Sequence, residues 1–152
     1  MKEHRILLVG IGNRFRGDDA VGLEIIRQIR LYHDKSQLET LEIEDDILSI
    51  LEYWSDRKVI IVDSIRYRDS VPGEIQLFTG LENILLNQEL LTSSHSINLF
   101  EAIELGRILQ KIPREMTLIG VAGKQYDMGE KMSEEVESSI PAIVKTISGE
   151  IP

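Results

Sequence analysis

A chain of 152 residues, 42% of them hydrophobic, suits one compact domain built round a single core. Its formal net charge of −9, with no basic patch, argues against nucleic acid or anionic lipid as a partner. The absence of cysteine excludes disulfides, thiolate metal clusters and a cysteine nucleophile, so any metal or catalytic chemistry must run on oxygen and imidazole.

The apolar run that follows the charged N-terminus is too short for a signal peptide or a membrane span, which points to a cytoplasmic protein. Arg5 to Gly10, RILLVG, reads as a strand buried on both faces that stops at glycine. From Asp18 to about Tyr32 the apolar residues Val21, Ile25, Ile26 and Ile29 recur at helical spacing. Leu38 to Glu44 alternates with period two as a strand, and Ile47 to Trp54 is dense enough for a short helix. Lys58 to Ser64, KVIIVDS, is a second fully apolar strand. A turn at Pro72 and Gly73 leads into an alternating run from Glu74 to Phe78, expected as an antiparallel edge strand. Ile97 to Ile112 has helical periodicity, Met116 to Gly123 is the last buried strand, and Glu134 to Ile147 is a closing helix capped by Ser133.

Strands alternating with helices imply right-handed crossovers. The expected architecture is therefore α/β: a three-layer αβα sandwich with a mostly parallel, twisted sheet of about five strands, one antiparallel edge strand, and a single domain over 1–152. Ligands of such sheets sit outside the carboxyl ends of the strands, so the loops after Val9, Val62 and Val121 should share one functional edge.

The loop after the first strand reads GIGNRFRGDDAVG, Gly10 to Gly22. Gly10 and Gly12 fill two positions of a dinucleotide fingerprint, but Phe15 stands where the third glycine belongs. Asp18 and Asp19 also lie where a pyrophosphate would want bare N–H groups, which makes nucleotide binding the weaker alternative. Asp63, at the end of VIIVD, either projects into the crevice or caps a turn. His95, in TSSHSINLFE, lies just before a helix that Ser93, Ser94 or Ser96 could cap; alone it reads equally as an exposed loop histidine. Together Asp19, Asp63 and His95 come from three loops expected at one edge, and two carboxylates with an imidazole suit nickel, zinc, manganese or iron. There is no H-E-x-x-H and no G-x-S-x-G, and His4 and His33 are assigned to the surface without a role.

In order along the chain, LLVGIGNRFRGDDAVG, VIIVDSI, VPGEIQLF, SSHSINLFEAIEL and TLIGVAG…MSEEV resemble the nickel-iron hydrogenase maturation endopeptidases. The resemblance covers nearly the whole chain. It implies an aspartic-type endopeptidase that clips the C-terminal extension from the hydrogenase large-subunit precursor after nickel insertion, with that precursor as partner and the nickel carried by it. It maps the family's metal-ligating and catalytic residues onto Asp19, Asp63 and His95, and leaves the nucleophile open. Asn13 and Asp18 in the glycine loop, with Asp45 and Asp46, are expected to touch substrate, and the protein is expected to be a monomer. A non-catalytic, metal-sensing assembly factor is the alternative from another class. Two departures bear on which precursor is recognised: EDDILS, Glu44 to Ser49, replaces the family's Asp-Gly-Gly-Thr type of turn, and Ala122 and Gly123 replace a Glu-Pro or similar pair.

Overall fold

The computed structural model describes residues 5–67, 69–88, 91–92 and 96–152. Five strands line up in the order β2-β1-β3-β6-β4: β1 (Ile6–Ile11), β2 (Leu38–Ile43), β3 (Lys58–Tyr67), β4 (Ile75–Thr79) and β6 (Glu115–Ala122). β1, β2, β3 and β6 are mutually parallel, and β4 runs antiparallel beside β6 at the edge, as the Pro-Gly turn implied. A two-residue β5 (Leu91–Thr92) pairs antiparallel with the far end of β3. The helices are α1 (Val21–Tyr32), α2 (Leu81–Leu86), α3 (Ser96–Leu109) and α4 (Glu134–Glu150).

Alternation along the strands assigns each side chain to one of two cores. Leu7, Val9, Val59, Ile61 and Ile65 face Leu99, Phe100 and Ile103 of α3. Leu8, Ile60, Val62, Ile119 and Val121 face Ile25, Ile26 and Ile29 of α1 and Ile140, Ile143 and Ile147 of α4. That is why the strands read as continuous apolar runs and not as half-polar ones.

Four features differ from the sequence pattern. The first helix opens as a 3-10 turn, Gly17–Ala20, before α1, and the segment after β2 is likewise a 3-10 turn, Ile47–Glu52. α3 stops at Leu109 because Gln110 adopts φ 58°, a left-handed turn in which Lys111 N–H bonds back to the Gly106 carbonyl at 2.7 Å. β3 runs past Ser64 to Tyr67, since its last residues find partners in β6 and then β5.

The chain leaves β1 on one side toward β2 and returns on the other as β3. The topological switch point therefore lies between β1 and β3 at their carboxyl ends, where open α/β sheets bind ligands.

Candidate functional site

The glycine loop is built by backbone approach. A methyl group on Gly22 would sit 2.5 Å from the Val62 carbonyl oxygen and 2.7 Å from that of Ile11, so α1 begins pressed onto β1 and β3 at the switch point. Gly12 abuts the Asp19 carbonyl so closely that no side chain fits there. Between them Asn13 folds the turn: its Oδ1 accepts Phe15 N–H at 2.9 Å, its carbonyl accepts Arg16 N–H at 3.2 Å, and its own N–H donates to the Asp19 carbonyl at 3.2 Å. Asn13 thus has a structural task that the sequence pattern did not assign to it.

Asp19 is 6% exposed and lies in the 3-10 turn that packs against β3. Asp63, 3% exposed, lies on β3 itself, in register with Gly120 of β6. It is inside the strand and not at its end, contrary to expectation. Pairing of β1 with β3 nevertheless finishes at Gly10 and Val62, so Asp63 is the first β3 residue beyond the reach of β1. Alternation directs it to the face that carries α3, while Ser64 faces α1 and α4. The two acids therefore flank the switch point. His95 falls outside the described residues, and the first residue of α3 is Ser96, directly after it. Among the described residues no group of three or more histidine, aspartate or glutamate side chains could hold a metal ion.

Asp18 was expected to meet substrate, and the structure corrects this: it is fully buried. Its carboxylate accepts four hydrogen bonds, from the N–H groups of Lys124 (2.8 Å), Gln125 (3.1 Å) and Ser133 (2.7 Å) and from Ser133 Oγ (3.0 Å). Its own N–H donates to the Gln125 carbonyl at 2.8 Å. Asp18 is thus a knot between the glycine loop and the segment joining β6 to α4. That segment also presents Tyr126, whose hydroxyl lies 2.8 Å from Ser64 Oγ and whose ring lies under Arg66, with the guanidinium carbon 4.6 Å from its centroid. Burial pushes the Tyr126 phenol above its ordinary value, against the opposing pull of Ser64 and Arg66. None of these partnerships was visible beforehand, because no periodicity or spacing marks contacts between residues so distant in sequence.

Asp45 and Asp46 are exposed on the neighbouring loop. Asp46 stands at the cap position of the 3-10 turn Ile47–Glu52 but its side chain makes no capping bond. Glu44 is held by Arg14 of the glycine loop, Nε to Oε1 at 2.9 Å, and this pairing raises the guanidinium above its ordinary value. His33 is half-buried and not a surface group, with Nε2 2.9 Å from Ser148 Oγ; His4 is outside the described residues. A groove of about 800 Å³ runs between α1 and α4, lined among others by Arg14, Leu23, Arg27, Met132 and Ile140, and neither Asp19 nor Asp63 lines it.

Residues 41–150 match a family described as hydrogenase maturation protease. Protein FrxA of Pyrococcus furiosus is 30% identical over 136 residues, covering 86% of this chain and 93% of its own. The hydrogenase 2 maturation protease of Escherichia coli is 25% identical over 147 residues, 95% of this chain and 89% of its own. Among solved structures, the [NiFe] hydrogenase maturation protease HybD from Thermococcus kodakarensis superposes with a TM-score of 0.80 at 25% identity, over 97% of this chain and 99% of its own. A match of this extent, on a sheet whose two buried acids flank the switch point, makes the chain a member of the hydrogenase maturation protease family and a peptidase.

Proposed function

We propose that this peptidase acts as a cytoplasmic monomer on the precursor of a nickel-iron hydrogenase large subunit, removing its C-terminal extension once nickel is in place. The observation that carries the reading is the position of Asp19 and Asp63, buried acids on either side of the β1/β3 switch point. His95, which directly precedes α3 in sequence, would complete the set. Two carboxylates and an imidazole are hard-to-borderline donors that fit nickel, which here belongs to the substrate. Such an ion supplies Lewis acidity near the scissile bond. The chain's own acids supply negative charge to recognise the loaded subunit and oxygen atoms able to take up a proton. Asp45 and Asp46, exposed beside the glycine loop, would meet the peptide.

The test is to incubate the protein with nickel-loaded precursor and weigh the subunit by mass spectrometry. Loss of a C-terminal peptide is expected, and a folded Asp63→Asn protein should leave the precursor uncut. A stable complex of unchanged mass would replace the peptidase reading of this substrate with that of an assembly factor.

A further inference from the structure

The two acids sit on segments that do not share a helix or a loop. Asp19 is in the turn before α1 and Asp63 is on β3. Both are adjoined by residues that the same stretch of chain holds. Toward Asp19, the stretch from Gly123 to Ser133 provides all four donors to the Asp18 carboxylate, accepts the Asp18 N–H on Gln125, and accepts the Gly17 N–H on the Glu130 carbonyl at 3.1 Å. A return bond runs from Gly129 N–H to the Phe15 carbonyl at 2.8 Å. Toward Asp63, Tyr126 bonds Ser64 and lies under Arg66, while Gly123 N–H reaches the Ile65 carbonyl at 3.4 Å. The residue before Asp19 and the three after Asp63 thus share one support.

We propose that the segment Gly123–Ser133 is a brace that sets the separation of Asp19 and Asp63, and that Tyr126 is its positioning residue on the β3 side. The inference rests on the reading of those two acids as the working groups. A hydrogen bond between two side chains is a fixed-length link, and this one joins the brace to β3 beyond the point where β1 has stopped supporting it. Without it the brace keeps its grip on Asp18 and the Gly123 N–H bond to Ile65, but loses the side-chain tie that fixes Tyr126 against the strand carrying Asp63. Reacting groups misplaced by a fraction of an ångström lose rate and not affinity, since substrate contacts elsewhere are unchanged.

Tyr126→Phe tests this with little risk to the fold, because the ring and its contact with the Arg66 cation remain. Precursor cleavage by this variant should show kcat lowered roughly tenfold with KM unchanged. Ser64→Ala should shift kcat in the same direction, and the double variant should be no worse than Tyr126→Phe, in which the Ser64 bond is already gone together with the longer 3.5 Å reach of the phenol to the Ile65 carbonyl. Amide hydrogen exchange gives a second readout that needs no turnover: exchange at Gly17–Ala20 should quicken several-fold in Tyr126→Phe, although Tyr126 does not bond to those residues. Unchanged kcat, additive single losses or unchanged exchange at Gly17–Ala20 would each overturn the brace. If the wild-type protein itself leaves the precursor uncut, the proposed function fails, and the exchange measurement alone decides the brace.

Discussion

Ser133 and Asp18, 115 residues apart, share one hydroxyl with the first turn of α4: Ser133 Oγ donates to Asp18 Oδ2 at 3.0 Å and accepts the Val136 N–H at 3.3 Å. A helix cap and a buried acid are thereby satisfied by the same atom, and Ser133 N–H adds a third bond, to Asp18 Oδ1 at 2.7 Å. The cap orients α4 while the acid fixes the glycine loop against it.

Asp18→Ala removes the acceptor of all four of these inward-pointing donors in a site with no exposure. Leaving several buried donors unpaired should lower the unfolding free energy by about 3 kcal/mol. Ser133→Ala, which loses the cap and one of the bonds, should cost about 1–2 kcal/mol. Urea denaturation followed by circular dichroism measures both, and a loss for Asp18→Ala no larger than that for Ser133→Ala would refute the knot.

Gly22→Ala sets two effects against each other. Alanine is the better helix former by about 1 kcal/mol. Its methyl group, however, would meet the Val62 carbonyl at 2.5 Å and the Ile11 backbone at 2.7 and 2.9 Å, where neither strand can withdraw without breaking the β1–β3 ladder. The clash should win, with a net loss of about 2 kcal/mol seen as a lower Tm.

Alkaline pH should expose the burial of Tyr126. Its phenol is raised in the folded protein by desolvation, first among the causes. The unfolded chain therefore releases this proton earlier, near pH 10, and the folded chain later. The resulting contribution to stability is fully present below about pH 10 and is lost as the pH rises through the folded value. Tyr126→Phe has no such proton, so the stability of wild type relative to Tyr126→Phe should fall as the pH rises above about 10 in urea titrations. A difference that does not vary with pH would show that the phenol ionises as freely folded as unfolded.

Asp45 and Asp46 should act as a charge filter on the incoming peptide. Arg14 holds Glu44, and Asp46 makes no side-chain capping bond, so replacing Asp45 and Asp46 with glycine should leave Tm unchanged. The wild-type protein should favour a precursor with a lysine- or arginine-bearing extension over one with an acidic extension, less so at high salt. The double variant should lose that preference. An equal ratio of the two rates in both proteins would end the filter idea.

What the sequence made legible was whatever has a period. Val59 to Val62 and Met116 to Val121 announce buried strands because both faces are covered, and Ser133 announces a cap because its hydroxyl acts three residues along the chain. The carboxyl ends of β1, β3 and β6 do share the edge that the alternating elements implied. The far end of β3 was not legible, since Arg66 and Tyr67 owe their strand conformation to β5 and not to an apolar pattern. α2 and β5 are too short to show periodicity. Asp18 and Asp19 are identical neighbours in sequence, and only the fold distinguishes the one that ties the loop from the one proposed to work.

The long reach of Asp18 also orders the assembly of the fold as the chain is made. A nascent chain that has left the ribosome as far as Ala122 holds every parallel strand of the sheet, together with Asp19 and Asp63. It has nothing yet to offer the Asp18 carboxylate, whose donors begin at Lys124 and end at Ser133. Nor has it α4, whose Ile140, Ile143 and Ile147 close the second core. Asp19 and Asp63 are therefore synthesised before the residues that anchor the glycine loop, and a chain stalled or clipped before α4 carries both of them without the second core closed.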